Sequence, residues 1–240
     1  MSTNYSRLSR ANRLLAALSP EDFSLLARDL KEIRLKQGEV LQERTDEIEQ
    51  VYFPLSGMIS LLAVMKNGTA VEIATIGREG VVCAMVGLGA RTAASRAIVQ
   101  LEGTFARITA SKLRAAARQS SAIRELLARY GELLMATISQ TAGCNALHPI
   151  EARLSRWLLQ TRDRSDDDRL SLTQEFLSQM LGVRRTTVTM TARTLQARGL
   201  IKYSRGRMEI VDRAGLEKNA CECYGFIRHR HDKMFSSLTK

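Results

Sequence analysis

Residues 172–211 of the chain are LTQEFLSQMLGVRRTTVTMTARTLQARGLIKYSRGRMEIV. Thr173, followed by Gln-Glu-Phe, is typical of a capping residue that opens a helix. This helix is expected to end at Gly182, where the chain needs a residue that tolerates a left-handed turn. A second helix is expected over residues 185–198. Two short helices joined by so tight a turn predict a helix-turn-helix.

The same stretch provides a buried face for both helices and a small sheet after them. Its apolar residues recur at helical spacing and are Phe176, Leu177, Met180, Leu181, Val183, Val188, Ala192 and Leu195. After Gly199, residues 202–211 predict two short strands around a basic turn, which is the wing of a winged helix. Residues 147–240 are therefore predicted to form a winged helix-turn-helix domain.

Basic residues are concentrated in this part of the chain. The 240 residues include 36 Lys and Arg against 25 Asp and Glu, a net charge of +11, and residues 147–240 contain 18 of the basic and 11 of the acidic side chains. Net charge alone favours either nucleic acid or an anionic membrane as partner. Between Phe176 and Met208 there is no acidic residue, but there are seven basic ones: Arg184, Arg185, Arg193, Arg198, Lys202, Arg205 and Arg207. A solvated face normally mixes both signs, so this acid-free strip favours double-stranded DNA.

The start of the second helix is the part of a helix-turn-helix that enters the major groove of DNA. The residues expected to contact bases there are Arg184, Arg185, Thr186, Thr189 and Met190. An arginine in this place can donate two hydrogen bonds to guanine, worth about 1–3 kcal/mol of discrimination. The residues expected to contact phosphates are Thr173, Lys202, Arg205 and Arg207. For each single residue, a solvated charge or a contact to phosphate alone stays the alternative.

The N-terminal part, residues 1–110, is expected to be a β-roll flanked by short helices. Over residues 38–108, short runs rich in β-branched residues alternate with glycine and proline, which predicts a compact antiparallel barrel or roll. Asn67-Gly68 between two such runs predicts a hairpin whose two central residues have positive φ. Residues 5–36 are expected to form short helices, one of them capped by Ser19.

A single long helix is expected over residues 111–146, which contain no proline. Its apolar residues advance in steps of three and four, so one face of the helix is apolar along most of its length. Part of that face is expected to pack on the roll, and a stripe this long also predicts pairing with a second copy of the chain. The residues expected to form this dimer contact are Ile123, Leu127, Tyr130, Leu134 and Ile138.

In the order of these parts, and above all in residues 172–201, the chain resembles the Crp/Fnr family of bacterial transcription regulators, which are similar to the cyclic-AMP receptor protein. Residues 38–62 and 67–80 also resemble the β-roll strands of that family. The resemblance implies a jelly-roll-like β-roll that senses a ligand, a long helix that dimerises, and a winged helix that binds a two-fold symmetric operator. It also implies α+β as the fold class.

The chain departs from the family pattern in its effector pocket. Members that bind cyclic nucleotides carry a glutamate for the ribose and an Arg-Ser/Thr-Ala run for the cyclic phosphate, whereas residues 82–85 here are Val-Cys-Ala-Met, without a glutamate. A cyclic nucleotide is therefore not expected as effector. The residues that correspond to the pocket are Cys83, Ala84, Arg91, Thr92 and Arg96. No cofactor is expected, because the cysteine cluster of iron–sulfur members is absent and no residue is placed as a haem ligand.

The recognition helix departs from the family as well. Arg185 matches the first residue of the frequent Arg-Glu-x-x-x-x-Arg pattern. Thr186 and Met190 stand where the pattern has its glutamate and its second arginine. Because that glutamate accepts a hydrogen bond from cytosine, the operator is expected to differ from that of the cyclic-AMP receptor protein.

Four cysteines in a chain of this size do not indicate a disulfide framework. Cys221 and Cys223 are followed by His229 and His231, but their spacing is not that of a zinc finger or knuckle, so no metal site is predicted. A thiol- or metal-responsive sensor stays an alternative function; the cysteines concerned are Cys83, Cys144, Cys221 and Cys223.

These observations predict a homodimeric, sequence-specific transcription regulator. Its expected partners are double-stranded DNA, a second copy of the chain, and RNA polymerase if the protein is an activator; the sequence does not identify a small-molecule effector. A small-molecule sensor whose roll is the main active part is the other open interpretation. No enzyme is expected, because the three histidines lie outside any nucleophile motif. No membrane partner is expected, since no apolar run is long enough to span a bilayer, and a cytoplasmic location is expected.

Overall fold

The computed structural model of the chain describes residues 7–8, 11–165 and 169–238, without the side chains of residues 237 and 238. Parts of the predicted N-terminal domain (residues 1–6, 9 and 10) and of the predicted C-terminal domain (residues 166–168, 239 and 240) lie outside the described residues. Among the described residues, no helix is both long enough and apolar enough to cross a membrane.

The N-terminal part is an antiparallel β-roll, as the sequence predicts. Its strands are β1 (Lys31–Leu35), β2 (Val40–Gln42), β3 (Gln50–Pro54), β4 (Met58–Val64), β5 (Ala70–Ile76), β6 (Arg96–Leu101) and β7 (Gly103–Thr109). They form one sheet in the order β1-β7-β3 and another in the order β2-β6-β4-β5. Strand β7 pairs antiparallel with both of its neighbours, so that Phe105 lies opposite Ile33 and Ala106 lies opposite Phe53. A short 3-10 helix, Ala84–Leu88, lies between β5 and β6.

The other elements are mainly helical. The helices are α1 (Arg13–Ala16), α2 (Pro20–Ala27), α3 (Ala110–Gln119), α4 (Ser121–Leu147), α5 (Ile150–Arg162), α6 (Gln174–Leu181), α7 (Arg185–Ala197), α8 (Arg213–Asn219) and α9 (Cys223–Leu238). A further antiparallel sheet of β8 (Arg169–Ser171), β9 (Ile201–Ser204) and β10 (Arg207–Ile210) has the order β8-β10-β9. The α+β fold class, with roll, long helix and winged helix in this order, is confirmed.

The chain forms two compact units. The first comprises the described residues of Met1–Leu61, Ala74–Ala136 and His229–Lys240, and the second comprises those of Leu62–Ile73 and Thr137–Arg228. The tip of the β4–β5 hairpin therefore belongs with the winged helix.

The N-terminal helices end earlier than the sequence analysis predicts. Ser19 caps α2, because its Oγ accepts a hydrogen bond from the backbone N–H of Asp22 at 3.1 Å, as predicted. The helical prediction for residues 5–36 is wrong at its end, since residues 31–35 form β1 and pair with β7. The helical spacing of Leu30 and Ile33 is outweighed there by the ladder of hydrogen bonds that an edge strand gains from its neighbour.

The hairpin predicted at Asn67-Gly68 is present, but its turn is of another kind. Gly68 has a φ of +83°, while Asn67 is not among the residues of positive φ. Backbone bonds from Met65 to Thr69 and from Gly68 to Met65 close a three-residue loop. Asn67 accepts hydrogen bonds from both the N–H and the hydroxyl of Thr69. A turn followed by one left-handed glycine is the common form of this longer loop.

The single helix predicted over residues 111–146 is wrong in its first part, because Ser120 divides it into α3 and α4. Ser120 has extended backbone angles, and its Oγ accepts from the N–H of Ile123 at 3.0 Å, so it caps α4. The same hydroxyl donates to Asp22 at 2.6 Å, and this bond, followed by that of Ser19, lowers the pKa of the Asp22 carboxyl.

The core of the first unit lies between the β1-β7-β3 sheet and the helices that cover it. Its buried residues include Phe23, Phe53, Ile108, Leu113 and Leu127. Burial of each such side chain stabilises the fold by about 1.5–3 kcal/mol. Helix α4 approaches the roll so closely that a β-carbon added at Gly80 or Gly87 would collide with its Tyr130 or Leu127.

Candidate nucleic-acid interface

Helices α6 and α7 are held together by a cap and a left-handed turn, both as predicted. The Oγ of Thr173 accepts a hydrogen bond from the N–H of Phe176 at 3.1 Å and so starts α6. Gly182 ends α6 with a φ of +64°, and the N–H of Val183 returns to the carbonyl of Ser178 at 3.1 Å. This closing bond is typical of a helix end that turns sharply into the next element.

The predicted apolar face holds the two helices against the rest of the second unit. Buried residues on that face are Leu177, Met180, Leu181, Val188, Ala192 and Leu195, while Phe176 and Val183 are half-buried. The opposite face of α7 is left to solvent. The helix-turn-helix is thus built as the spacing predicts.

The residues expected to contact bases lie at the exposed start of α7. Arg184, Arg185, Thr186 and Met190 are exposed, Met190 to 69%, and Thr189 is half-buried. Arg184 is the N-cap residue of α7, but its side chain makes no capping hydrogen bond. The first N–H groups of α7 are therefore available to an anion such as a DNA phosphate.

Gln174 of α6 positions two of these residues, and the sequence analysis did not identify it. Its Oε1 accepts a hydrogen bond from the hydroxyl of Thr189 at 2.9 Å and one from Nε of Arg185 at 3.4 Å. The same Thr189 hydroxyl lies 3.0 Å from the carbonyl of Arg185, so the two acceptors share its single proton. Because Arg185 is bound through Nε, its two terminal nitrogens stay free to donate as a pair.

The wing is a tight hairpin that presents basic side chains. Arg205 and Gly206, with φ of +49° and +75°, form its two-residue turn, and Lys202, Arg205 and Arg207 are exposed. Tyr203 fixes the wing to the start of α6, since its hydroxyl donates to the carbonyl of Leu172 at 2.9 Å. Burial raises the pKa of Tyr203, and the charge of Arg185 opposes that rise.

Most cations of the acid-free strip have no carboxylate partner. Arg198 is the exception, with Glu151 at 3.4 Å and the amide oxygen of Asn219 at 3.0 Å. Within the described part of the chain, no carboxylate pairs with the remaining members: Arg184, Arg185, Arg193, Lys202, Arg205 and Arg207. Exposed cations of this kind attract phosphates, because no ion pair among the described residues neutralises them.

A groove of about 910 Å³ lies beside this surface, between the tip of the β4–β5 hairpin and helices α6 and α7. Arg184 and Thr187 line it, whereas Arg185, Thr186 and Met190 do not. The first of the five predicted base-contacting residues therefore faces a different surface from the others.

The residues that correspond to the effector pocket differ in their exposure and in their partners. Cys83 has a φ of +65°, and its thiol donates to Oε1 of Gln42 at 2.8 Å. Burial raises the pKa of Cys83 to about 11. Arg96 pairs with Glu43 through Nε at 2.8 Å, so a carboxylate of the protein already neutralises it. The remaining residues of this set are Ala84, which is buried, and Arg91 and Thr92, which are exposed.

An acidic groove lies next to these residues. It measures about 400 Å³ and is lined by Leu41, Gln42, Asp46, Glu47, Ile48, Glu49, Gln50 and Tyr52. The three carboxylates in its lining repel an anionic ligand such as a cyclic nucleotide. Thr92 pairs with Glu47 as an isolated β-bridge beside it.

The stripe expected to form the dimer contact divides into two parts. Ile123, Leu127 and Tyr130 are buried in the core of their own roll, with at most 3% of each exposed. Their assignment to a dimer contact is therefore corrected: the apolar face of α4 packs on the roll at this level. Leu134 and Ile138 are half-buried and stay candidates, and the neighbouring Met135 is 64% exposed.

Two family models match the chain. A cyclic nucleotide-binding domain matches residues 32–120, and a Crp-like helix-turn-helix domain matches residues 152–219. These ranges coincide with the roll and with the winged helix. The chain belongs to the Crp/Fnr family of transcription regulators. A comparison with curated proteins finds no match.

Solved structures of other regulators have the same fold as this Crp/Fnr protein. FixK2 from Bradyrhizobium japonicum has a TM-score of 0.68 and 15% identity, over 80% of this chain and 98% of that one. A Crp/Fnr-family regulator from Eubacterium rectale has a TM-score of 0.67 and 17% identity, over 88% and 98%. The c-di-GMP-responsive regulator CLP from Xanthomonas campestris has a TM-score of 0.62 and 14% identity, over 80% and 99%. At such low identity the similarity shows the fold alone.

This Crp/Fnr protein also has a group of potential metal ligands that the sequence analysis did not assemble. The ligand atoms of Cys144, His148, Cys221 and Cys223 all lie within 4.8 Å of one another. The sequence analysis considered Cys221 and Cys223 beside His229 and His231 and predicted no metal site, and those two histidines are not in the group. A hydrogen bond from Cys221, followed by the charge of Arg156, lowers the pKa of the Cys144 thiol to about 4. The contact with Cys144 raises the pKa of His148.

The cap at Thr173 has a measurable role in stability. Thr173→Ala removes the acceptor for the N–H of Phe176 and is expected to lower the free energy of unfolding of the winged helix by about 1 kcal/mol. Thr173→Ser keeps an acceptor and is the matched control. Trp157, the single tryptophan, is buried in the second unit, so its fluorescence in a urea titration reports on this unit. Equal urea midpoints for the two variants would show that the cap contributes nothing.

Proposed function

We propose that this Crp/Fnr regulator acts as a homodimer that reads a two-fold symmetric DNA operator with the start of α7 and grips its backbone with the wing. The observation that carries the proposal is the exposed cationic surface formed by these two elements, whose basic side chains form no ion pair with a carboxylate among the described residues. The family match over residues 152–219 supports the placement of DNA on this surface.

Base recognition is assigned mainly to Arg185. Its Nε is bound to Gln174, which restricts the side chain and leaves two terminal nitrogens for O6 and N7 of one guanine. Thr186 and Met190 are exposed on the same helix and supply contacts to neighbouring bases, such as a thymine methyl group. The hydroxyl of Thr189 is already bonded to Gln174, so Thr189 acts first by holding the helix surface in place.

The backbone of DNA is assigned to the wing and to the first turns of α6 and α7. Lys202, Arg205 and Arg207 reach phosphates from the wing, and the uncapped N–H groups after Arg184 add a site for a further phosphate. The Thr173 hydroxyl is accessible at the start of α6. These contacts supply affinity and register, while the bases supply specificity.

Dimerisation is assigned to the turn of α4 around Leu134, Met135 and Ile138. This turn, with an exposed methionine next to two half-buried aliphatic residues, keeps apolar surface directly after the turns that the roll covers. A second copy related by a two-fold axis would bury the same residues on both chains.

The effector is assigned to a class other than cyclic AMP, because Glu43 neutralises Arg96 and the neighbouring groove is acidic.

Selection of binding sites from random DNA tests the proposal directly. The expected result is a palindrome with half-sites centred about 34 Å, one helical turn, apart. Arg185→Ala is expected to relax the preference at one base pair in each half-site, with a loss of about 1–3 kcal/mol there. If no palindrome emerges, the proposed mode of recognition is wrong. If Arg185→Ala weakens all sequences equally, Arg185 contacts phosphate rather than a base.

The salt dependence of binding separates phosphate contacts from structural ion pairs. Arg205→Ala is expected to reduce the slope of log K against log salt by about 1 for each chain that loses a phosphate contact. Arg198→Ala is the matched control, since Arg198 is engaged with Glu151 and Asn219. Gel-shift titrations at several salt concentrations measure both slopes. If both variants changed the slope equally, the proposal that the wing contacts phosphates would be wrong.

Calorimetry with cyclic AMP tests the proposal that the roll does not bind this nucleotide. No saturable heat is expected, and the affinity for the selected operator is expected to stay the same when cyclic AMP is added. Arg96→Gln serves as the control, because it removes the paired cation without adding an acid. Saturable binding by the unaltered chain, lost in this variant, would instead place the cyclic phosphate at Arg96.

A further inference from the structure

The second unit contains a group of three thiols and one imidazole that DNA binding does not use. Cys144 lies in the last turn of α4 and His148 directly follows that helix, so the two are one helical turn apart. Cys221 lies between α8 and α9, and Cys223 is the first residue of α9. Two short pairs, separated by more than seventy residues of chain, therefore bring their ligand atoms together.

The distances within the group are those of ligands around one metal ion. Sγ of Cys144 lies 3.5 Å from Sγ of Cys221, and Sγ of Cys223 lies 3.5 Å from Nδ1 of His148. A tetrahedral zinc ion, with bonds of about 2.3 Å to sulfur and about 2.0–2.1 Å to nitrogen, separates its ligand atoms by about 3.5–3.8 Å. No ligand atom of the group lies more than 4.8 Å from another.

Neighbouring side chains form hydrogen bonds with His148 and Cys223 of the kind that usually orient metal ligands. Nε2 of His148 lies 3.1 Å from the carboxylate of Glu222 and can donate its proton to it, so that Nδ1, which faces the thiols, is the nitrogen that would bind the metal. The amide of Gln140 donates to Sγ of Cys223 at 3.0 Å. A carboxylate behind a histidine and an N–H donor to a thiolate are the common outer partners of a zinc site.

A buried cation balances the charge that such a site would carry. Three thiolates and one divalent ion leave a net charge of −1, which is costly to bury without a counter-charge. Arg156 is buried nearby, and its charge acts on both Cys144 and Cys221. Its Nη1 is bound to Gln160, but its Nε has no hydrogen-bond partner among the described residues.

We propose that Cys144, His148, Cys221 and Cys223 bind one zinc ion in each chain as a closed, structural site. The three cysteines are buried and the histidine side chain is 23% exposed, so four protein ligands leave no open position for a substrate or for catalytic water. On binding, each thiol gives its proton to solvent as its sulfur–zinc bond forms, and neutral His148 donates its Nδ1 lone pair. No electron is transferred.

The geometry favours zinc over two other uses of the same residues. A disulfide between Cys144 and Cys221 would need their sulfurs about 2.05 Å apart, and it would leave Cys223, His148 and their outer partners without a role. An iron–sulfur cluster spreads its ligands around a core of several atoms, whereas these ligand atoms surround the space of a single ion. The proposal does not depend on the operator or on the dimer.

Elemental analysis of the full chain, purified under reducing conditions, provides the first test. One zinc ion per chain is expected in the unaltered protein and in Cys83→Ser, the matched control, whose cysteine lies outside the group. Less than a tenth of that content is expected in Cys223→Ser. Zinc-free protein after growth with zinc, iron in place of zinc, or a bond between Cys144 and Cys221 found by peptide mapping would each overturn the proposal.

A second measurement keeps the test valid if Cys223→Ser does not fold. The unaltered chain, stripped by a chelator, is titrated with cobalt(II) alone, and the visible absorption of tetrahedral cobalt with thiolate ligands is expected to saturate at one ion per chain. Glu222→Gln is expected to weaken zinc affinity about 10- to 100-fold while leaving the stoichiometry at one. The exposed Glu217→Gln, on α8, is the control and is expected to bind zinc as the unaltered chain does. Absence of the cobalt bands, or equal affinity in both glutamate variants, would contradict the assigned geometry.

Discussion

The turn at Gly182 is the constraint on which the DNA-binding surface depends. Its φ of +64° costs an L-residue about 1–2 kcal/mol, and a β-carbon at this position would also meet the side chain of Val71 at 2.9 Å. The turn sets the direction in which α7 leaves α6, so that Val188 and Leu195 face the core while Arg185 and Met190 face solvent. If the chain left α6 in another direction, α7 would be rotated, and different residues of α7 would face the core and the solvent.

Once the position of α7 is fixed, the distribution of charge on its surface determines which partner it can bind. Cations that face no acid repel one another, and this repulsion destabilises the free protein slightly. The unit tolerates the cost because apolar burial beneath α6 and α7, rather than surface ion pairs, holds the two helices. Arg198 lies at the end of α7 and is paired with Glu151, whereas Arg184 and Arg185 at its start and Arg193 in its middle form no ion pair among the described residues.

Local features of this fold could be predicted from the sequence, and features that depend on distant partners could not. The cap at Thr173, the turn at Gly182 and the wing hairpin rest on a few neighbouring residues, and they were predicted correctly. Strand β1 lies where the helical spacing predicts a helix, because its pairing with β7 joins residues 68 to 76 positions apart. The break at Ser120 was missed for a related reason, since serine is common within helices and becomes a cap here with help from Asp22.

The apolar stripe of α4 also shows what cannot be predicted from the sequence alone. Periodicity reveals that a helix has an apolar face, but it does not tell which surface covers that face. Ile123 and Tyr130 are covered by the roll of their own chain, where Gly80 and Gly87 leave room for the helix to approach. Farther along the helix, Met135 and Leu147 keep apolar surface exposed.

The group of three cysteines and one histidine would stabilise the winged helix as a whole. Its two halves immediately precede α5 and follow α8, so the winged helix lies between them in the chain. A link at that point restrains the ends of a segment of about seventy residues, and the restraint removes conformations mainly from the unfolded chain. Because the ligands come together only when the unit is folded, the free energy of metal binding would add directly to the stability of the fold that presents Arg185 to DNA.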